Sequence, residues 1–173
     1  MTNILQHPPI PIIGFAAFSG TGKTTLLKQI INGLSQTMNI GLIKQSHHDI
    51  DIDTPGKDSY ELRKAGASQT LLTSPYRSVL ITEHKSQQEP ELGNIISQLD
   101  INTLDLILVE GFKQTSFTKI EVFRKELDKP LLYPEDKNII AIATNDTKAS
   151  HSIPKLDLNN PEQIMDYIRQ HFL

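Results

Sequence analysis

Apolar residues recur along the chain at two spacings, which predict strands that alternate with helices. The continuous apolar run at residues 10–18 is typical of a strand buried on both faces, as in a parallel sheet. Between residues 24 and 36, leucines and isoleucines recur at the spacing of the buried face of a helix. Residues 40–44 form another apolar run. Together these segments predict a β-α-β unit with a right-handed crossover.

The rest of the chain continues this alternation, with one hairpin in the middle. The predicted elements are a short helix at residues 59–65, strands at 70–73 and 78–82, a helix at 92–99, strands at 105–110, 119–124 and 139–143, and a C-terminal helix at 160–172. The two middle strands favour a hairpin, which would make the sheet mixed. The polar stretch at 125–138 is a candidate insertion. We expect one α/β domain over residues 1–173, with a loose tail at 1–9.

The composition argues against several classes of protein. The chain has 17 lysines and arginines against 20 aspartates and glutamates, so it lacks the concentrated basic surface of a nucleic-acid binder. Its longest apolar stretch is far shorter than the roughly 20 residues that a membrane span needs. It contains no cysteine, and therefore no disulfide that would require an oxidising compartment. We expect a cytoplasmic protein that binds neither nucleic acid nor membranes.

The segment between the first strand and the first helix carries a phosphate-binding motif. A P-loop has the form G-x-x-x-x-G-K-[ST]; here residues 22–24 match its second half, and Ala17 replaces the first glycine. Glycines let backbone N–H groups approach phosphate oxygens, and the helix N-terminus adds positive charge. The residues expected to bind a nucleotide here are Ser19, Gly20, Thr21, Gly22, Lys23, Thr24 and Thr25.

Lys23 has a specific expected role in this loop, because its ammonium should reach the β- and γ-phosphates and act in catalysis. The structural alternative is a plain glycine turn with a solvated Lys23. A lysine at the positive end of a helix is unfavourable without an anion beside it, which favours the phosphate interpretation. The expected fold class is therefore that of a P-loop NTPase, with a mostly parallel, mixed sheet of about eight strands covered by helices.

A magnesium site is expected beside the loop. The Thr24 hydroxyl is placed to bind Mg²⁺. P-loop proteins hold the water shell of Mg²⁺ with a carboxylate at the end of a neighbouring strand. Glu110 is in that position, because it follows an apolar strand and precedes a glycine. Thr24 and Glu110 are thus the predicted metal ligands, with an ordinary strand-end glutamate as the alternative for Glu110.

An acidic segment follows the second strand. Asp49, Asp51 and Asp53 alternate with isoleucines, so an extended chain would place the three carboxylates on one face. Asp51 and Asp53 are the predicted catalytic residues of a switch-like loop that contacts Mg²⁺ or the attacking water. The alternative is a solvated face with the isoleucines packed inward.

Four basic or imidazole side chains near this segment are further candidates. Lys44 could face the phosphates from the end of the second strand. Arg63 could stabilise transition-state charge, with a surface role as its alternative. His47 and His48 could bind a transition metal, although neighbouring residues of a strand point to opposite faces and rarely share one ion.

The predicted base-reading residues are Asn145 and Asp146, which follow the apolar run at 139–143. A carboxylate can accept hydrogen bonds from both guanine N1–H and the exocyclic amine, whereas adenine presents a lone pair to it. The residue types match the N-K-x-D motif of guanine-specific proteins but the spacing differs, and a helix N-cap is the alternative.

Three segments together resemble the MobB family of molybdopterin guanine dinucleotide biosynthesis adapter proteins: residues 15–30, 41–67 and 104–113. The resemblance extends over nearly the whole chain, and the middle segment is its discriminating part. It implies a P-loop GTPase related to dethiobiotin synthetase that binds GTP, hydrolyses it weakly at best and dimerises through an extended sheet. It also implies action beside the nucleotidyltransferase MobA, which attaches GMP to molybdopterin, and contact with the molybdenum-insertion protein.

The expected function is therefore that of a GTP-binding adapter that holds nucleotide and Mg²⁺. One alternative is a small-molecule kinase, in which Asp51 or Asp53 would deprotonate a hydroxyl and Arg63 would steady the transferred group. That activity calls for an arginine-rich lid, which the chain lacks. The other alternative is a metallochaperone GTPase that uses His47 and His48, and the lack of cysteine argues against it.

Overall fold

The structure of the protein is a computed structural model that describes residues 4–5, 7–46, 48–146, 148 and 150–173. Within these residues the strands are β1 (Ile12–Ala17), β2 (Ile40–Lys44), β3 (Gln69–Thr73), β4 (Ser78–Thr82), β5 (Leu106–Glu110), β6 (Lys119–Phe123), β7 (Ile139–Thr144) and β8 (Lys155–Asp157). The helices are α1 (Lys23–Leu34), α2 (Asp58–Lys64), α3 (Leu92–Ile96) and α4 (Pro161–Phe172), and short 3₁₀ turns span Ile101–Thr103 and Lys125–Leu127. None of the helices in this described part has the length and apolar character needed to cross a membrane.

The chain divides into two compact units, one formed by the residues up to Gln45 and from Glu91 onward, the other by Ser46–Pro90. In the first unit, six strands form one sheet in the order β2-β5-β1-β6-β7-β8, and every neighbouring pair is parallel. Because the six strands run in one direction, their carboxyl ends lie along one edge. That edge is where open parallel sheets bind their ligands.

Helices of the first unit cover both faces of this sheet. Ile30 of α1 and Ile164 of α4 belong to one apolar cluster, whereas Ile96 of α3 belongs to another. Strand β1 contributes to both clusters, with Ile13 in the first and Ile12 in the second. This alternation follows from the opposite directions of successive side chains along a strand, and it confirms a strand buried on both faces.

The second unit contains α2 and the hairpin of β3 and β4. These strands pair in antiparallel register, with Leu71 opposite Leu80. The predicted α/β fold class and the hairpin are confirmed. The prediction of one mixed sheet of about eight strands is wrong, because the hairpin forms a two-stranded sheet of its own and the main sheet has six strands that are all parallel. The prediction of a single domain over residues 1–173 stays a prediction.

Two charged side chains of β6 are buried and hold the polar stretch 125–138 against the sheet. Lys119 is 1% exposed and donates to Asp136 Oδ2 at 2.8 Å. Glu121 is equally buried, and its two oxygens accept from the backbone N–H groups of Leu132 and Tyr133 at 2.8 and 2.9 Å. Burial raises the pKa of Glu121, although these two donors oppose the shift. The stretch is therefore fastened to the domain by buried polar contacts.

We expect Glu121→Gln to lower the free energy of unfolding by about 1–3 kcal/mol. The substitution keeps the size of the side chain, but it turns one acceptor oxygen into an NH₂ group that faces a backbone N–H. Chemical denaturation of the variant against wild type measures the effect, with the exposed Glu135→Gln as the control. Equal stability of both variants would mean that the two contacts do not hold residues 132–133.

Candidate phosphate-binding site

The loop between β1 and α1 has the backbone conformation that its glycines predict. Gly20 and Gly22 have φ values of 85° and 88°, in the left-handed region, where a residue with a Cβ would be strained. Gly22 is the N-cap of α1, and Lys23 is its first residue. Ala17 is buried in the core as the last residue of β1, so the position of the first motif glycine requires no glycine conformation here.

Lys23 forms an ion pair with Glu110, the carboxylate that the sequence predicts at the end of a neighbouring strand. Its Nζ lies 3.0 Å from Glu110 Oε1, and Lys44 Nζ lies 3.2 Å from Glu110 Oε2. Strand β5 lies between β1 and β2, so Glu110 is placed between these two lysines. The anion that a lysine at a helix N-terminus requires is thus supplied, in this structure, by the protein itself.

The two lysines set the charge state of Glu110. Burial alone would raise the pKa of this carboxyl, but hydrogen bonds from Lys23 and then from Lys44 outweigh it and hold the pKa below its ordinary 4.5. Glu110 is therefore ionised at neutral pH. A carboxylate at this place supplies the hard oxygen donors that Mg²⁺ prefers, and the exposed Thr24 lies next to Lys23 at the start of α1.

Two further cations lie against the loop, and neither was among the predicted site residues. Lys113 Nζ lies 5.5 Å from the ring centroid of Phe18, and burial, followed by the nearby charge of Lys23, lowers its pKa. Arg124 Nε donates to the carbonyl of Thr21 at 3.2 Å. Both residues follow closely on the ends of strands β5 and β6, which is the sequence signal that could have identified them. The loop thus lies in a cationic environment, which favours an anionic ligand.

Asp51 and Asp53 lie in the second unit, where both contact residues of that unit. Asp51 Oδ1 accepts from Arg63 Nη2 at 2.7 Å, and Glu83 Oε1 accepts from Arg63 Nη1. Asp53 Oδ1 accepts from the Ser59 hydroxyl at 3.1 Å. Arg63 is therefore buried between two carboxylates, and the predicted roles of Asp51, Asp53 and Arg63 in catalysis stay predictions.

In the part of the chain that the structure describes, no three His, Asp or Glu side chains are grouped closely enough to hold a metal ion. Asp49 and His48 are exposed, and the backbone N–H of His48 donates to the Ser46 hydroxyl at 3.1 Å. His47 lies outside the described residues. Ile50 and Ile52 are 62% and 64% exposed, so the inward packing of these isoleucines is not observed.

Asn145 and Asp146 follow β7 and are both engaged with the segment after β6. The amide of Asn145 donates to both oxygens of Glu126 at 2.8 and 2.7 Å, and its oxygen accepts from Lys125 N at 3.0 Å. Asp146 Oδ2 lies 3.2 Å from Lys125 Nζ. The N-cap alternative is wrong for Asn145, since no described helix starts there.

A cavity of about 190 Å³ lies beside Asp146 at the carboxyl ends of β7 and β8. Its lining comprises Thr144, Asp146, Lys155, Leu156, Asp157 and Gln163. The cavity is on the edge of the sheet where the glycine loop also lies, because all six strands are parallel. The base-reading role of Asn145 and Asp146 stays a prediction.

A family model and the similar proteins found by comparison all carry names from one family. The family model for MobB, described as molybdopterin guanine dinucleotide synthesis protein B, matches residues 12–145. The chain is 47% identical over 161 residues to the molybdopterin-guanine dinucleotide biosynthesis adapter protein of Escherichia coli (strain K12). The aligned region covers 92% of this chain and 91% of that protein. The chain is 39% identical to the adapter protein of the same name from Haemophilus influenzae, over 95% of this chain and 91% of that one.

A solved structure of a MobB protein has the same fold as this chain. The crystal structure of Bacillus subtilis MobB superposes with a TM-score of 0.74 at 26% sequence identity, and the match covers 95% of this chain and 99% of that chain. The similarity supports the α/β fold with a parallel sheet flanked by helices.

We expect Lys44→Met to raise the pKa of Glu110 towards its ordinary value, because one of the two ammonium donors is removed. Since the folded pKa of Glu110 is depressed, its contribution to stability is present above pH 4.5 and is lost as the pH falls through the folded pKa. The variant should therefore lose less stability than wild type on acidification. NMR titration of ¹³C-labelled glutamate carboxyl carbons measures the shift, with the exposed Lys28→Met of α1 as the control. An unchanged titration of Glu110 would count against the Lys44 contact.

Proposed function

The chain belongs to the family of molybdopterin guanine dinucleotide synthesis protein B, and from this premise we propose that it is a GTP-binding adapter of the cytoplasm. Its role as an adapter in the biosynthesis of molybdopterin guanine dinucleotide follows from the family. The proposal adds that it binds GTP with Mg²⁺ at the loop of residues 19–25 and hydrolyses GTP weakly at most. The proposed protein partners are MobA, the molybdenum-insertion protein and a second copy of the chain.

One observation carries the nucleotide proposal: Gly20 and Gly22, both in the left-handed backbone conformation, end the loop that leads into Lys23, the first residue of α1. Successive N–H groups at such a helix start bind phosphate oxygens, because the helix dipole and the free backbone donors favour an anion there. The lysines around Glu110 outnumber its single negative charge, so the loop retains positive charge for a phosphate chain. In the bound state, Lys23 donates to phosphate oxygens and no longer to Glu110.

The residues present also fit a magnesium ion. Thr24 supplies a hydroxyl and Glu110 an ionised carboxylate, and both are oxygen donors of the kind that Mg²⁺ prefers. The ion, when bound, neutralises charge on the phosphate oxygens. Thr24 and Glu110 are the residues proposed to hold it, while Lys23 orients the phosphate chain.

The proposed preference for GTP is implied by the resemblance to the MobB family, and the carboxylate of Asp146 at the edge of the cavity beside β7 supports it. A carboxylate matches the two adjacent N–H donors of guanine. Asn145 is proposed to act beside Asp146 in this role, by holding residues 125–126 in place through its amide.

The proposal of a homodimer is supported by apolar surface on the hairpin of the second unit. Leu71 and Leu80 are paired across β3 and β4 and are 65% and 51% exposed. Tyr76 in the turn between these strands is also highly exposed. A paired, exposed apolar face on a two-stranded sheet is typical of a surface that another chain covers.

We expect Lys23→Ala to lower the affinity for GTP by about 100-fold or more while the fold is retained. The variant loses the ammonium that contacts the phosphates, but Glu110 keeps Lys44 as its ion-pair partner, so no buried charge is left without one. Titration calorimetry with GTP and with ATP, each in the presence of Mg²⁺, measures the change. Lys28→Ala, at an exposed position of the same helix, is the matched control.

The outcome separates the proposal from its alternatives. Unchanged GTP affinity in Lys23→Ala would contradict binding at the loop, and stronger binding of ATP than of GTP would contradict the base preference. Turnover of wild type is then measured with and without a partner loaded with molybdopterin. Slow hydrolysis is expected, and many turnovers on a small hydroxyl acceptor would indicate a kinase instead.

We expect Leu71→Asp to weaken self-association by at least about 10-fold, because the burial of a leucine contributes about 1.5–3 kcal/mol and a twofold interface contains it twice. Light scattering over a range of protein concentrations measures the dissociation constant. Leu42→Asp is the control, since Leu42 is a leucine of similar exposure on the edge strand β2. A wild-type mass that stays monomeric at every concentration would contradict the dimer.

A further inference from the structure

We propose that Arg124, the residue directly after β6, contacts the phosphate chain of the bound nucleotide. This inference rests on the proposed binding of a nucleotide at the loop of residues 19–25. It adds a phosphate-binding residue from outside the motif, and from a strand that pairs with β1 on the side opposite β5.

The guanidinium of Arg124 lies against the last peptides of the loop. Its Nε donates to the carbonyl of Thr21 at 3.2 Å. A Cβ placed on Gly22 would lie 3.4 Å from Arg124 Nη2, so one terminal nitrogen is next to the residue that caps α1. The side chain thus reaches the point where the helix begins and where a phosphate would accept from the backbone N–H groups.

The terminal nitrogens of Arg124 have no protein acceptor among the residues that the structure describes. A guanidinium carries five N–H donors in a fixed planar fork, so Nε can be anchored while Nη1 and Nη2 remain free to donate. Two donors in one plane match two oxygens of a phosphate group. The anchored geometry therefore leaves the recognition part of the side chain available.

The charge of Arg124 is also not neutralised by an ion pair within the described part of the chain. Glu126, two residues further on, is close enough to be influenced by it, but both Glu126 oxygens accept from the Asn145 amide at 2.8 and 2.7 Å. A half-buried cation beside the positive end of a helix is unfavourable without an anion. A bound phosphate chain supplies that anion.

Arg124 is held in place before any ligand binds. A hydrogen bond from Lys125 N to Asn145 Oδ1, 3.0 Å long, fixes the segment that follows Arg124. Leu127 packs towards the loop, with its Cδ1 3.8 Å from the position of a Cβ on Gly20. Little conformational freedom of the Arg124 side chain is therefore lost when a phosphate is bound, which favours affinity.

The test compares binding of GTP, GDP and guanosine to wild type, Arg124→Ala and Arg124→Gln by titration calorimetry with Mg²⁺. A glutamine can still donate to the Thr21 carbonyl but carries no charge, so it separates a phosphate contact from support of the loop. We expect both variants to bind GTP and GDP about 10–100-fold more weakly, because they lose charge-assisted hydrogen bonds. Binding of guanosine should not change.

A second readout is the dependence of GTP affinity on salt. Loss of a cation that contacts phosphate reduces this dependence, whereas loss of a purely structural hydrogen bond does not. Arg169→Ala, on the exposed surface of α4, is the matched control and should behave as wild type. The melting temperature without nucleotide shows whether each variant is folded.

The outcomes distinguish this inference from the function on which it rests. If wild type and Arg169→Ala bind no nucleotide, the proposed function fails. If both bind GTP and Arg124→Gln binds it equally well with the same salt dependence, the phosphate role of Arg124 is overturned. Weaker binding by Arg124→Ala alone, together with a lower melting temperature, would assign Arg124 to support of the loop and would also overturn the proposal.

Discussion

The candidate site depends on the parallel pairing of β5 with both β1 and β2. Strand β1 leads into the glycine loop, while β5 ends at Glu110, whose register partner on β2 is Lys44. Because parallel neighbours end at the same edge, Glu110 lies 3.0 Å from Lys23 although 87 residues separate the two in sequence. A neighbour of opposite direction would end at the other edge and leave Lys23 at the helix N-terminus without this partner.

The parts of this site that follow from sequence are those with a local cause. The motif requires glycines because the backbone turns there, and Gly20 and Gly22 both adopt the left-handed conformation. Glu110 was predicted because an apolar run ends at a carboxylate that a glycine follows, and the structure places it beside Lys23. The backbone conformation at the glycines and the apolar character of a strand are set by the residues of each segment itself. A pattern in one sequence therefore sufficed to predict the loop, the strand end and the burial of β1 on both faces, although it predicted one mixed sheet.

Contacts between distant polar residues could not be predicted in this way. The alternation at residues 119–122 is typical of a strand with one solvated face, yet Lys119 and Glu121 are buried because residues 132–136 cover that face. Strand β8 has only three residues, with one apolar side chain between two exposed ones, which is too short to show a period. Asn145 contacts Glu126 across 19 positions, in a stretch whose composition indicated only an insertion.

The ion pair between Lys23 and Glu110 also constrains what can bind at the loop. Under the proposed function, a phosphate chain takes Lys23 as its donor, and Glu110 is then left with Lys44, which is more than half exposed and screened by solvent. The carboxylate would face several phosphate oxygens of like charge, an arrangement that is unfavourable unless a cation lies between them. In the structure Glu110 orders Lys23; under the proposed function it would in addition call for a cation once the loop holds a phosphate. A neutral hydrogen-bond acceptor at the end of β5 could accept from Lys23, but it would create no such demand for a cation.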